Sequence, residues 1–333
     1  MTPVELREYI MGLAASAGFD RCGVARAEPI GRGDYVRRWL AEGRAGSMDY
    51  LHRNVGARLD PGEILPGARS VIVVALSYNQ PPPDPPEDGR SRGRVAMYAW
   101  GDDYHEVIRE KLRTMRDRMH AELVTPFETR ICVDTAPVIE RELAAAAGIG
   151  WIGKNTMVLS RKLGGYFFLG VMLTTLEIAA DEPVVDHCGS CTACLEACPT
   201  QAFPAAYQMD ASRCISYLTI EHRGDISKPF QEMMGDWVFG CDVCQEVCPF
   251  NRKAPATHEP RFAIREPGLR PALDDLLAWD DEDYRKKLSG SAMQRAKLEM
   301  LRRNARIAIE NVARGRVSPP PQEVGHPPPV ACP

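Results

Sequence analysis

Eight of the eleven cysteines in this chain fall between residues 188 and 248, and their spacing constrains it more than any other feature. Residues 188–199 read CGSCTACLEACP, a C-x-x-C-x-x-C-x-x-x-C-P run, and residues 241–249 read CDVCQEVCP. Cys214 stands between the two, in the place of the first cysteine of a tight second run. Three thiolates, each two residues from the next, can wrap three corners of one iron–sulfur cube, and the longer step then sends the fourth to another cube. Eight thiolates suit two 4Fe-4S clusters. The spacing assigns Cys188, Cys191, Cys194 and Cys248 to one, and Cys198, Cys214, Cys241 and Cys244 to the other. Two four-thiolate zinc sites are the competing reading, since C-x-x-C pairs suit zinc too. The triple run and its C-P ending are poor zinc spacing. Cys22 and Cys132 read as small buried hydrophobes, and Cys332 as a tail thiol.

The rest of the chain is ordinary for a soluble protein, with 44% apolar and 26% charged residues. Its 333 residues allow one or two compact units. No apolar run approaches the roughly 18 residues of a membrane span. The start, MTPVELREYIMGLAASAGFD, sets charges inside an apolar period and reads as an amphipathic helix, not a signal peptide. A cytoplasmic location is therefore expected, where clustered cysteines hold metal more often than disulfides. The net charge of −4 gives no global sign of nucleic acid, so any such site must be a local patch.

Hydrophobic period predicts helices over 1–20, 34–42, 105–123 and 137–147, and strands over 70–78, 94–100, 131–134 and 166–175. The Pro-rich stretch 81–93 reads as a surface loop. The expected organisation is an α+β N-terminal unit over 1–180, a cysteine unit over 181–255, a basic helical segment over 256–317, and a Pro-rich disordered tail over 318–333. From Arg285 to Arg316 there are ten Lys/Arg against two Glu. A helix over 293–312 would put Leu298, Leu301, Ala305 and Ile309 on one apolar face. Arg295, Arg302, Arg303 and Arg306 would then turn largely to solvent.

Two clusters alone make an electron wire, so the N-terminal unit should house the electron acceptor. It has neither G-x-G-x-x-G after a strand nor G-x-x-x-x-G-K-[ST], which leaves dinucleotide and NTP sites unsignalled. Its densest polar segment is VDTAPVIERELAAAAGIGWIGKNTMVL (133–159), with Asp134 where a strand gives way to a helix. Gly148, Gly150 and Gly153 read as places where backbone turns sharply and approaches a bulky ligand.

That segment, both cysteine runs, RLDPGEILPGARSVIVVALSY (58–78), YAWGDDYH (98–105) and RCISYLTIEHRGDI (213–226) resemble the epoxyqueuosine reductase family, over roughly residues 1–315. The resemblance implies a nitroreductase-like cobalamin-binding domain followed by a bacterial two-cluster ferredoxin-like domain, similar in plan to reductive dehalogenases. It also implies reduction of the epoxide of epoxyqueuosine, at the wobble position of tRNA, to the cyclopentene of queuosine. Removing an epoxide oxygen takes two electrons and protons; clusters deliver single electrons, and cobalamin is the relay the family uses. An external electron donor of the reduced ferredoxin or flavodoxin type is implied as well.

On the resemblance, Asp134 is the expected proton donor, a role that requires burial to raise its pKa above the ordinary value near 3.9. Its bland alternative is a helix cap. Arg58, Met97, Lys154, Asn155 and Ser216 are expected cobalamin contacts, against readings as surface charge, core packing or loop caps. His222 and Arg223, with Arg302 and Arg303 from the basic segment, are expected to meet the substrate or tRNA. His105 reads only as the start of a helix. No Asp-x-His-x-x-Gly motif is present, since Asp186-His187-Cys188 has the wrong spacing, so cobalamin is expected base-off. Longer family members continue into helical repeats where this chain enters its Pro-rich tail. The competing functions are a reductive dehalogenase, which would carry a twin-arginine signal, and a non-catalytic electron-transfer protein.

Overall fold

The computed structural model describes residues 1–83 and 88–318; the Pro-rich tail expectation, from residue 319 on, and Cys332 lie outside the described residues. At the centre is a four-stranded sheet of order β1-β2-β7-β4, built from β1 (Arg21–Arg26), β2 (Ser70–Ser77), β4 (Thr129–Cys132) and β7 (Phe167–Thr174). Every pairing in it is antiparallel, the arrangement of an α+β fold. β2 explains itself from sequence. All eight of its residues are buried, with Ile72, Val74 and Leu76 in one core and Val71, Val73 and Ala75 in the other. Side chains alternate between faces, so a strand covered on both faces must read as the continuous run SVIVVALS.

Helices α1 (Pro3–Ser16) and α4 (Tyr104–Glu122) cover one face, and α5 (Glu140–Ala146) covers the other. Thr2 and Glu5 start α1 with a reciprocal capping box. α4 lies so close to β7 that a Cβ at Gly170 would meet Ile108 Cγ2 at 2.5 Å. α2 (Gly33–Ala41) and α3 (Val55–Leu59) occupy the connection from β1 to β2.

The expected strand over 94–100 is only β3 (Arg94–Val95), followed by a 3-10 turn at Met97–Ala99. The chain turns because the Met97 amide donates to the buried Asp242 carboxylate at 2.6 Å. β3 pairs in parallel with β8 (Trp237–Phe239), which lies between the cysteine runs. Gly150 and Gly153 allow the close approach within the hairpin of β5 (Trp151–Ile152) and β6 (Val158–Leu159). A Cβ at Gly150 would lie 2.0 Å from Leu159 O, and one at Gly153 2.6 Å from Leu159 Cδ1.

The cysteine region is held by short helices α6 (Ala193–Glu196), α7 (Ile215–Ile220), α8 (Lys228–Met233) and α9 (Val243–Glu246). Beyond it come α10 (Leu273–Ala278), α11 (Asp281–Lys287), a 3-10 turn at Ala292–Arg295, and α12 (Leu298–Ala313). The core that begins with Leu6 and Ile10 runs without a break through Val238, Leu276, Leu301 and Ala308. Among the described residues, no helix is long and apolar enough to cross a membrane.

Candidate functional site

The eight thiols lie within electrostatic reach of one another. Cys194 feels Cys188 and Cys191, and Cys248, which the chain returns from the second run, feels all three. Cys241 feels Cys214 and Cys244, Cys214 feels Cys198, and Cys244 feels Cys214, Cys194 and Cys198, so Cys244 stands between the two groups. Burial pushes Cys194 up to about 11 and Cys248 up to about 12, and it raises Cys214, Cys241 and Cys244 as well. Thiolates so placed need positive charge at sulfur, which iron supplies. Among the described residues, no three His, Cys, Asp or Glu side chains converge as they would around one ion.

The sulfurs are also served by donors. Trp151 Nε1 donates to Cys188 Sγ at 3.5 Å, and the Ala202 amide to Cys198 Sγ at 3.3 Å. The Ser216 and Tyr217 amides, in the first turn of α7, point at Cys214 and favour its thiolate. Lys154 Nζ donates to the carbonyls of Gly189 (2.6 Å) and Cys191 (2.9 Å), and Asn155 Nδ2 to that of Cys244 (3.4 Å). So Lys154, Asn155 and Ser216 are all committed to cysteine loops.

Asp134 follows β4 in the left-handed region, with φ of 55°. Its amide donates to Glu140 Oε1 at 2.7 Å. That bond helps offset a backbone conformation costing about 1–3 kcal/mol for a non-glycine residue. The irregular turn through Ala136 and Val138 delays α5 to Glu140, three residues after the expected start at Pro137. The Asp134 side chain is 59% exposed, yet protein crowds it enough for burial to act on its pKa. Arg141, also exposed, has its pKa lowered by the same crowding. Each is thus open to solvent on one side and flanked by protein on the other, and we take the recess they share as the candidate hollow. Tyr98 and Tyr104 carry the influence of Asp134 from one side, and Tyr50 and Arg295 from another.

The expected raised pKa of Asp134 is overturned. Burial pushes the carboxyl up, but the hydrogen bond and charge of His105 prevail, with help from the Tyr104 hydroxyl and Arg295, and hold it below its ordinary value. His105, which sequence reasoning passed over as a helix start, is the missed member of the site. Its Nε2 lies 3.1 Å from Asp134 Oδ2, and its Nδ1 lies 2.6 Å from Asp103 Oδ1. Burial lowers His105, but its two carboxylate partners win and lift it to about 9. The only signal in the sequence was the D-D-Y-H run that begins α4, with Asp103 as its N-cap.

The other expected contacts fall as follows. Arg58, half-buried on α3, donates to the carbonyls of Tyr50 (3.2 Å) and Arg53 (3.4 Å). Met97 is buried one hydrogen bond from Asp242, between two cysteine ligands of one set. His222 Nε2 meets the Asp225 carbonyl at 2.9 Å, and Arg223 is exposed. Arg302 and Arg303 do not turn to solvent. Arg302 donates to the Trp279 carbonyl, and Arg303 to the carbonyls of Leu218, His222 and Gly224. The charged stems lie across gaps between elements because α12 is flanked on both sides, a crowding that helical period cannot reveal. Of the four arginines expected outside, Arg306 is the exposed one on α12, and Arg295 is exposed but paired bidentately with Glu221. A separate crevice of about 730 Å³, lined in part by Arg32, Glu142, Trp151 and Tyr207, does not include Asp134. The titrating cluster of Asp134 and His105, not this crevice, marks the candidate site.

Two thiol tetrads wired into an α+β domain whose hollow presents an acid–base pair define an iron–sulfur oxidoreductase. The family model for epoxyqueuosine reductase QueG, DUF1730, matches residues 58–135, and that for a 4Fe-4S double cluster binding domain matches residues 187–251. The epoxyqueuosine reductase of Xanthomonas campestris pv. campestris is 41% identical over 93% of this chain and 88% of its own length. That of Pseudomonas aeruginosa is 40% identical over 93% and 86%. A crystal structure of epoxyqueuosine reductase with a tRNA-Tyr epoxyqueuosine-modified tRNA stem loop superposes with a TM-score of 0.85, at 32% identity, covering 92% of this chain and 81% of that one. The chain belongs to the epoxyqueuosine reductase family.

Proposed function

We propose that this protein reduces epoxyqueuosine in the anticodon loop of a tRNA to queuosine, the last step of queuosine biosynthesis. The observation that carries the reading is the paired site itself: two cysteine tetrads beside a hollow lined by Asp134, in a chain about 40% identical to epoxyqueuosine reductases over almost its whole length. The balance is one epoxide oxygen, two electrons and two protons in, and one alkene and one water out. An external donor of the reduced ferredoxin or flavodoxin type feeds the clusters.

In this reading cobalamin occupies the hollow at Asp134 and Arg141, whose side chains are open to solvent and yet desolvated by the protein beside them. Arg58, Met97 and Asp134 would border the cofactor, while Lys154, Asn155 and Ser216 fix the cluster loops beside it. When bound, base-off, cobalamin supplies a metal centre that can gather two electrons delivered singly. We take residues 1–180, with their mixed helices and antiparallel sheet, as the nitroreductase-like part that holds the cofactor. In this reading Asp134 hands a proton to the departing epoxide oxygen, as the general acid of the site, and must be loaded in each turnover because His105 holds its pKa low. Exposed Arg223, Lys286, Lys297 and Arg306 supply charge for tRNA phosphates, and the unpaired base is recognised in the pocket. A tRNA substrate implies a cytoplasmic reaction.

The test is anaerobic turnover. The iron-loaded protein with cobalamin, a low-potential reductant and epoxyqueuosine-containing tRNA should yield a nucleoside lighter by one oxygen. Unchanged nucleoside, with debromination of a bromophenol under the same conditions, would assign the chain to dehalogenation.

A further inference from the structure

Reducing an epoxide to an alkene consumes two protons, and one carboxyl group carries one. Asp134 is surrounded by the means to reload. Nε2 of His105 faces its Oδ2 at 3.1 Å, and Nδ1 of the same ring faces Asp103 Oδ1 at 2.6 Å. The ring is fixed between these carboxylates by a stack. His105 lies on Tyr104 at a centroid distance of 4.0 Å, and Tyr104 lies on Phe168 at 4.1 Å and 4°. Asp103 itself is set by the helix start, where it caps α4 and accepts from the His105 amide at 3.0 Å.

We propose that Asp103, His105 and Asp134 form a proton relay in which His105 loads the Asp134 carboxyl from the side away from the substrate. The inference rests on the proposed epoxide reduction and deepens it. With both ring nitrogens protonated, His105 donates to each carboxylate. The oxyanion that develops as the carbon–oxygen bond breaks is a stronger base than either group, so it draws the Nε2 proton through Asp134 Oδ2 in one coupled movement, leaving His105 neutral with its Nδ1–H still donating to Asp103. Asp134 gives that proton to the epoxide oxygen as the carbon–oxygen bond breaks. His105 regains a proton from solvent, and the second passage releases the oxygen as water. The two electrons come from the clusters, so the relay moves protons alone. The path matters because a substrate in the hollow covers Asp134 from its 59% exposed side, leaving the imidazole as the route of supply.

A protonated His105 is the resting state near neutrality, since its carboxylate partners lift its pKa to about 9 while holding Asp134 and Asp103 below the ordinary carboxylate value. The other groups facing the pair are Arg109 on α4, Glu140 and Arg141 on α5, and Arg295 on its 3-10 turn. Glu140, raised by burial to about 8, holds the Asp134 amide, not its carboxyl. His105 is thus a positioning residue acting through Asp134.

The experiment has two arms. In the first, single turnovers of pre-reduced holoenzyme are followed against pH. The wild-type rate should fall as pH rises through about 9. His105→Gln keeps a hydrogen-bonding side chain but cannot titrate. It should lose about 10- to 100-fold at pH 7.5, within the range typical of acid–base catalysis, and its falling limb should move at least two pH units down. Asp103→Asn should move the limb in the same direction by less. In the second arm, NMR titration of the seven histidines in the iron-loaded wild type, with His105 assigned by its loss in His105→Gln, should give a pKa near 9 that drops in Asp134→Asn. A wild-type rate and limb in His105→Gln, or a His105 pKa near the ordinary 6.5, would overturn the relay. A wild-type enzyme that titrates as expected but leaves epoxyqueuosine intact would instead overturn the function it serves.

Discussion

Arg303→Ala separates a structural arginine from a phosphate-binding one. Its guanidinium donates to the carbonyls of Leu218 at 2.7 Å, His222 at 2.7 Å and Gly224 at 2.6 Å. These bonds tie α12 to the C-terminal end of α7 and the loop after it, where a helix leaves carbonyls without intrahelical partners. A hydrogen bond from a charged donor contributes about 1.5–3 kcal/mol net. The carbonyls at 222 and 224 sit near solvent and regain water on truncation, so most of the loss falls on Leu218. A total of about 2–3 kcal/mol follows, which lowers Tm by roughly 3–4 °C in a chain of this size, whose unfolding entropy is about 0.7 kcal/mol per kelvin. The assay is an anaerobic thermal melt of the iron-loaded protein, paired with salt titration of binding to an anticodon stem-loop. Arg306→Ala is the internal comparison. It is exposed, so its stability should stay within about 0.5 kcal/mol, while its salt slope should drop by about 0.9 if it meets one phosphate. Arg303→Ala melting with the wild type, or losing salt slope at unchanged Tm, would refute the structural assignment.

Asp134→Asn should retain iron and cobalamin but lose turnover by about 100-fold or more; near-normal turnover would reduce Asp134 to a turn residue. Cys198→Ala should damage the cluster of Cys214, Cys241 and Cys244 while sparing the one on its own run, leaving about four of eight iron; iron analysis with EPR decides it, and loss of the Cys188 cluster alone would reverse the assignment. Trp151→Phe removes an N–H donor from Cys188 Sγ and should make that cluster harder to reduce, visible as a more negative midpoint in a redox titration; an unmoved midpoint would show the bond to be weightless. His105, with its pKa lifted to about 9, stabilises the fold fully below about pH 6.5 and loses that contribution as pH rises through 9. The Tm gap between wild type and His105→Gln should therefore close over that window, and a gap that widens would contradict the pairing.

The sequence by itself determined the cluster chemistry. Four-thiolate ligation depends on spacings of two and three residues, which are local, and the match to a 4Fe-4S double cluster binding domain covers the same residues. The continuous run at 70–77 likewise declared a strand buried on both faces, because the period-2 pattern disappears when neither face meets water. Asp134 could be singled out from its motif, but its charge state could not be read there. Asp134 is held low by His105, 29 residues earlier in the chain, and the two meet only because the start of α4 and the end of β4 are brought side by side. The same reason undid the solvent-facing reading of Arg302 and Arg303. Helical period says which residues share a face of α12, but not that α7, the loop after it and Trp279 close over its flanks. Pairing of β3 with β8, and with it the bond from Asp242 to Met97 that ties one cluster loop to the hollow, joins residues about 145 apart. Such contacts are set by where the folded elements lie, and no local pattern encodes them.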